Sequence, residues 1–264
     1  MLKKRLIFTL LFDKGYYILS RNFRHQRVGD LHWLKKNYVF SHISFSIDEL
    51  IVLNVNWASE NEDLFCSHLK ELARECFIPI AAGGGIKSVN QAQKLLRSGA
   101  DKIVINSLLY ENRALVHEMA ETLGQQCLIA SVDIKKEHNT ETVWISNGKT
   151  RIPQSANFFL DQVTNLPVGE LYLNSVDRDG TGQGYRIEML DLIPNDNQIP
   201  VIIAGGAGNH NHLREGLQNP KIDAVATAHL FNFVGNGLTS ARKLLIQTGE
   251  NLAVWLDGKE DYYV

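Results

Sequence analysis

Two glycine clusters, Gly83-Gly84-Gly85 and Gly205-Gly206-Ala207-Gly208, each end a short apolar run. Glycine lets backbone N–H groups approach an anion closely, and a following helix N-terminus adds a favourable dipole. One such cluster reads equally well as a tight strand-to-helix turn without a ligand. Two placed symmetrically point to an elongated bisphosphate. Asn106-Ser107 and Ala228-His229 close the next apolar run in each half and suit the completion of two phosphate cradles. Asp177-Arg178-Asp179-Gly180-Thr181-Gly182 sets carboxylates beside Gly and Thr. Such a loop can orient a sugar hydroxyl or meet phosphate through its backbone, and could otherwise be a solvated turn. Asp133, in Ser131-Val132-Asp133-Ile134, ends another apolar run. It is either a helix cap or a general acid or base, the latter especially if burial raises its pKa.

The elements that position these residues are short and unalternating. Eight runs rich in Ile, Leu and Val (Leu6–Leu11, Leu50–Val55, Ile78–Ala82, Ile103–Ile105, Leu128–Val132, Leu171–Asn174, Val201–Ala204 and Ala224–Thr227) read as strands buried on both faces. Amphipathic stretches such as Ser88–Ser98 and Asn112–Leu123 separate them. Eight strand–helix units predict a (β/α)8 TIM barrel, with active-site groups at the C-terminal ends of its strands. Lys135–Thr150, with Asn147-Gly148, reads as a small hairpin on the fifth loop.

An internal repeat divides the barrel in two. Pro79 to Pro200 and Gly85 to Gly206 are both 121 positions, and Glu49-Leu50 recurs as Glu170-Leu171 at the same offset. Leu6-Ile7 recurs as Leu128-Ile129, and Asp101 as Asp223, at 122. Two half-barrels therefore make a single domain spanning 1–264. By the same offset the counterpart of Asp133 is 133 − 122 = 11, which is Leu11. Leucine transfers no proton. Asp13 shares its parity but lies two residues on, roughly 6–7 Å further along the strand, and is a weak candidate for a substitute.

Charged residues open four of the runs: Arg5, Glu49, Lys102 and Glu170. Two bases and two acids could form a neutral ring across the barrel floor, or simply be solvated charges at strand starts. A net charge of −2 gives no global field toward nucleic acid or an anionic membrane. The three cysteines show no ligand-like spacing, which argues for a reducing cytoplasm and no metal site. No cofactor is expected. Residues 6–12 are an apolar stretch of seven, which a buried strand explains better than a signal sequence. Nothing else approaches the about 18 apolar residues of a membrane span.

Together these features resemble the cyclase subunit of imidazole glycerol phosphate synthase (HisF type) over essentially the whole chain. The matching stretches include Lys4-Arg5, Asn22-Phe23, Asp48-Glu49-Leu50, Gly83–Ile86, Gly99–Lys102, Ile105-Asn106, Ser175–Thr181 and Gly205–Gly208. The resemblance implies a glutaminase partner of HisH type at the N-terminal face of the barrel. The ammonia it releases would cross to the mouth and meet a bisphosphorylated ribulosyl-ribosyl aminoimidazole compound. It implies one phosphate site at Gly85, Asn106 and Ser107, and another at Asp179, Gly180, Gly206, Ala228 and His229. Asp133 would be one of two catalytic aspartates, and Arg5, Glu49, Lys102 and Glu170 the ammonia gate.

The departures are concentrated at the mouth. Leu11 stands for the other catalytic aspartate, Leu19 for a lysine, Asn54 for an aspartate, Ala204 for a serine and His229 for the usual serine. This pattern resembles diverged paralogues that supply ammonia, through a third protein, to sugar amidation in lipopolysaccharide and surface-polysaccharide biosynthesis. The other expectations are a histidine-pathway cyclase with an altered acid, a phosphosugar isomerase of the same barrel group, or a scaffold that binds a glutaminase without passing ammonia.

Overall fold

The computed structural model describes residues 2–38, 40–43, 45–56, 61–229 and 232–254, without the side chains of residues 41 and 42. Eight parallel strands close on themselves in the order β1 (Arg5–Asp13), β4 (Glu49–Asn54), β5 (Ile80–Gly83), β6 (Lys102–Ile105), β7 (Leu128–Glu137), β10 (Glu170–Ser175), β11 (Val201–Ala204) and β12 (Ala224–Thr227), which returns to β1. Each of the eight apolar runs of the sequence forms one of them. Helices Glu62–Glu75, Val89–Arg97, Arg113–Leu123, Ala156–Thr164, His210–Gln218 and Gly237–Gln247 follow strands around the barrel. The protein is a (β/α)8 barrel.

Closure explains why the strands do not alternate in polarity. On β1, Leu6, Phe8, Leu10 and Phe12 face the helices, while Ile7 faces the barrel interior, and all five are fully buried. A strand with an apolar layer on each side has no solvent face on which to place polar residues.

Aspartates at the strand entries pin the register. Asp48 Oδ2 accepts from Leu6 N at 2.7 Å, Asp101 Oδ2 from Ile80 N at 2.8 Å, and Asp223 Oδ2 from Val201 N at 2.8 Å. The last two are the same contact in each half, a physical reason for the recurrence of Asp101 as Asp223.

Two antiparallel hairpins rise from opposite strands. β1 runs past the barrel and pairs with β2 (Tyr16–Arg21), which pairs with β3 (Arg24–Asp30). β7 does the same with β8 (Thr140–Ile145) and β9 (Thr150–Ser155). The expected small hairpin over 135–150 is thus a three-stranded extension, since β7 itself continues to Glu137. Asn147-Gly148 does form the β8–β9 turn, with both residues at positive φ (56° and 68°). The β2–β3 hairpin is an addition to the elements read from sequence. Its turns, Lys14-Gly15 and Asn22-Phe23, also hold both residues at positive φ, as the tightest hairpins require.

Removing either strand-entry carboxylate should cost about 1–3 kcal/mol, the range for hydrogen bonds to charged groups. Asp101→Ala and Asp223→Ala are expected to do so similarly and additively, because they lie in different half-barrels. Urea denaturation of the two single variants and the double variant checks this.

Candidate functional site

The register shows which positions correspond between the two halves. Leu11 on β1 is paired with Leu53 on β4, as Asp133 on β7 is paired with Asn174 on β10. Both Leu11 and Asp133 line one cavity at the C-terminal ends of the strands, of about 1380 Å³ including its open mouth. Gly85, Asn106, Ser107, Asp179, Gly180, Gly206, Ala228 and His229 line the same cavity, so the fold gathers all the residues expected to hold phosphate. Asp13 is not among the lining residues. Its carboxylate accepts from Asn56 Nδ2 at 3.0 Å and lies 4.0 Å from Arg27. The two-residue step along β1 carries it past the cavity lining to pair with Tyr16 on β2.

Asp133 is 9% exposed. Its Oδ1 accepts from Asn174 Nδ2 at 2.8 Å and its Oδ2 from Asn106 Nδ2 at 3.1 Å. Burial pushes its pKa up to about 7, outweighing the two amide hydrogen bonds that favour the charged form. A carboxyl group poised there can give or take a proton near neutrality. Asn106 also donates to Ser131 O at 2.9 Å. Its side chain therefore orients Asp133, which leaves its backbone for any anion.

Asp179 is not in a solvated turn: it is 9% exposed and tied to the β2–β3 hairpin. Its Oδ2 accepts from Ser20 Oγ and from Phe23 N (3.1 Å), and its backbone O from Asn22 N (3.0 Å). These bonds clamp the β2–β3 turn over the mouth. They hold Phe23 at φ 62°, a conformation that disfavours a bulky side chain. Gly180 must be glycine: at φ 66°, an added Cβ would lie 1.9 Å from Ser20 O. The two hairpins meet where Phe23 packs on Gly148 (a Cβ there would be 2.5 Å from the ring), and Asn147 Nδ2 donates to Val55 O at 2.7 Å. Together they roof the cavity.

The second glycine turn brings backbone close to backbone, which only glycine permits. Gly206 sits at φ 109°, and a Cβ would lie 2.1 Å from Gly184 O. Ser107 Oγ accepts from Ser146 N at 3.2 Å. His229 is half-buried, and burial lowers its pKa from the ordinary imidazole value, which disfavours the charged form.

At the opposite end of the barrel, the four charged strand openers form a closed ring. Arg5 lies 2.7 Å from Glu49 and 2.5 Å from Glu170, and Lys102 lies 3.0 Å from Glu49 and 2.5 Å from Glu170. Each acid touches both bases, and the ring is neutral. Glu49 is only 1% exposed, and burial holds its carboxyl above its ordinary value despite Lys102 and Arg5. Burial also acts on Glu170, but there the hydrogen bonds and charges of Arg5 and Lys102 win and its pKa falls.

A (β/α)8 barrel with paired glycine turns at its mouth and a charged ring at its floor defines the class. The family model described as histidine biosynthesis protein matches residues 25–235. A protein of Parasynechococcus marenigrum (strain WH8102), provisionally named imidazole glycerol phosphate synthase subunit hisF2, is 41% identical over 256 residues, covering 97% of this chain and 95% of that protein. Imidazole glycerol phosphate synthase subunit HisF of Chlorobium limicola (strain DSM 245 / NBRC 103803 / 6330) is 32% identical over 249 residues, covering 94% and 98%. The chain belongs to the histidine biosynthesis protein family and, within it, to the HisF group. Among the described residues, no helix is long and apolar enough to cross a membrane.

Sequence reasoning missed Asn174, Ser20 and Tyr172, all of which line the mouth. Asn174 and Tyr172 were legible only as strand residues, and Ser20 lies in the unforeseen hairpin.

Two predictions follow from the titratable groups. Asp133 has its folded pKa (about 7) above the unfolded value near 4. Its ionisation therefore weakens the native state as pH rises through that interval. Asp133→Asn should flatten the pH dependence of stability between about 4 and 7, read from urea midpoints. In the ring, Lys102→Met leaves Glu49 and Glu170 with only Arg5 from this set. We expect a loss of roughly 1–3 kcal/mol, less than for a fully dry pair because Lys102 is partly exposed. An unchanged midpoint would show the ring contributes no net stability.

Proposed function

We propose that this chain is the ammonia-accepting barrel of a glutamine amidotransferase complex. A HisH-like glutaminase docks on the floor, and ammonia passes the ring of Arg5, Glu49, Lys102 and Glu170 to the mouth. The chain is read as a diverged paralogue delivering ammonia, through a third amidotransferase protein, to sugar amidation in lipopolysaccharide or surface-polysaccharide biosynthesis. One observation carries this reading: the floor ring is complete and closed, while Leu11 faces the mouth where Asp133 needs a proton-transfer partner.

The supporting chemistry is simple. Adding ammonia to a carbonyl of the bisphosphorylated compound, losing water and closing a new ring needs both an acid and a base. Asp133 can serve as one, held by Asn106 and Asn174. Leu11 contributes only apolar surface. The glycine turns near Gly85 and Gly206 are suited to keeping a phosphorylated ligand in place, consistent with a mouth that binds without catalysing efficiently. The cytoplasm is the expected compartment, since glutamine and phosphosugars are held there. A histidine-pathway cyclase is the second reading, favoured by the Asp133 pKa near 7, which suits proton transfer.

The test is turnover of the bisphosphorylated aminoimidazole substrate with ammonium salt by this chain alone. Loss of one member of an acid–base pair typically lowers the rate 10²–10⁴-fold, about 3–5 kcal/mol of transition-state stabilisation. Wild type is expected to be that slow, Leu11→Asp partly restored, and Asp133→Asn inactive. Wild-type turnover of order 1 s⁻¹ would overturn the diverged reading in favour of the histidine pathway.

A further inference from the structure

Between the charged floor and the mouth, the bore is lined by Ile7, Ile51, Ala81, Val104, Ile129, Ile202, Ala204, Ala224 and Ala226, drawn from seven strands, and by Tyr172 from the eighth. Among the described residues, Tyr172 is the sole aromatic in this inner layer, and it is 6% exposed. The repeat shows how it departs: Glu170 corresponds to Glu49, so Tyr172 corresponds to Ile51 (172 − 121 = 51), and the other half has an aliphatic side chain there.

Its side chain crosses the bore. Tyr172 lies on β10, two residues and roughly 6–7 Å above the ring member Glu170. Its hydroxyl reaches Thr9 Oγ1, at 3.4 Å, on β1. β11 and β12 stand between those strands in the barrel order; they contribute Ile202, which pairs with Tyr172, and otherwise only Ala204, Ala224 and Ala226. Small residues on the intervening strands leave room for a ring that spans them. Thr9, likewise, is two residues above Ile7 and four above Arg5 on the same face of β1. Both Thr9 and Tyr172 line the base of the mouth cavity, so the Tyr172–Thr9 bar forms its inner wall.

We propose that Tyr172 is an inner gate of the bore: its ring separates the floor from the mouth, and its hydroxyl, resting on Thr9, latches it shut. This rests on the reading of the bore as an ammonia passage. The latch is weak, a single long contact between two neutral hydroxyls, so small thermal excursions of the ring would admit a molecule the size of ammonia while keeping larger solutes in the mouth. A gate at this point makes Tyr172 the residue that decides what passes, above a floor ring that decides what enters.

Thiol accessibility in the isolated chain tests the gate without any glutaminase. Ile7→Cys places a thiol beneath the bar, and Ile129→Cys, level with Glu170, is the alternative should the first variant fold poorly. Modification by methyl methanethiosulfonate is followed peptide by peptide, with Cys66, Cys76 and Cys127 as internal references. Added to that background, Thr9→Val and Tyr172→Phe should each speed modification of the introduced thiol roughly two- to tenfold, as expected for loss of one neutral hydrogen bond. Tyr172→Ala should speed it more, with the three reference thiols unchanged. Equal rates with and without Tyr172→Ala would show that the ring closes nothing. Acceleration by Tyr172→Ala but not by Thr9→Val or Tyr172→Phe would make Tyr172 a fixed plug and overturn the latch. Neither result depends on glutamine-derived ammonia, so the gate can fail while the delivery reading stands. Delivery fails separately if the complex passes no glutamine nitrogen in any of these variants.

Discussion

The floor ring is the constraint from which the rest of the barrel is best understood. A closed parallel barrel buries its strand ends, and a charge there is tolerable only when paired. Arg5, Glu49, Lys102 and Glu170 solve this by alternation, each acid held between two bases at 2.5–3.0 Å. The arrangement needs four strands in fixed register. That register is secured nearby by Asp48, Asp101 and Asp223 on the backbone N–H groups of neighbouring strands. Above this polar base the bore is apolar until the mouth.

The mouth obeys different physics. Two hairpins, growing from β1 and β7, roof a cavity in which a buried carboxylate, Asp133, is oriented by two amides. The duplication would allow a second carboxylate at Leu11, and its absence leaves an asymmetric site. Asp179, in the same cavity, fastens the β2–β3 turn. Floor and mouth have thus kept different amounts of the two-fold plan: the ring retains a charge from both halves, and the mouth does not.

Much of this was legible before any coordinates. Doubly buried strands must be apolar on both faces, so eight short runs and a constant offset were enough to place the barrel and to align Leu11 with Asp133. What was hidden depended on closure. The Tyr172–Thr9 contact joins residues 163 apart and exists only once β10 and β1 sit on the same barrel. The β2–β3 hairpin was hidden for another reason: Arg24–Arg27 is polar throughout, and its turn puts Phe23 at positive φ, where glycine or asparagine would have been the signal. Asp13 illustrates the limit of parity: it shares a face with Leu11, yet the strand carries it into the hairpin and onto Asn56.

The account turns on the claim that the floor is a working docking face and entrance for ammonia. Its most direct test is glutamine hydrolysis by a HisH-type glutaminase titrated with this chain. The expected result is saturable formation of a heterodimer with accelerated hydrolysis, both weakened when Lys102→Glu reverses one charge of the ring. Two separate proteins at every concentration, with hydrolysis unchanged, would contradict it.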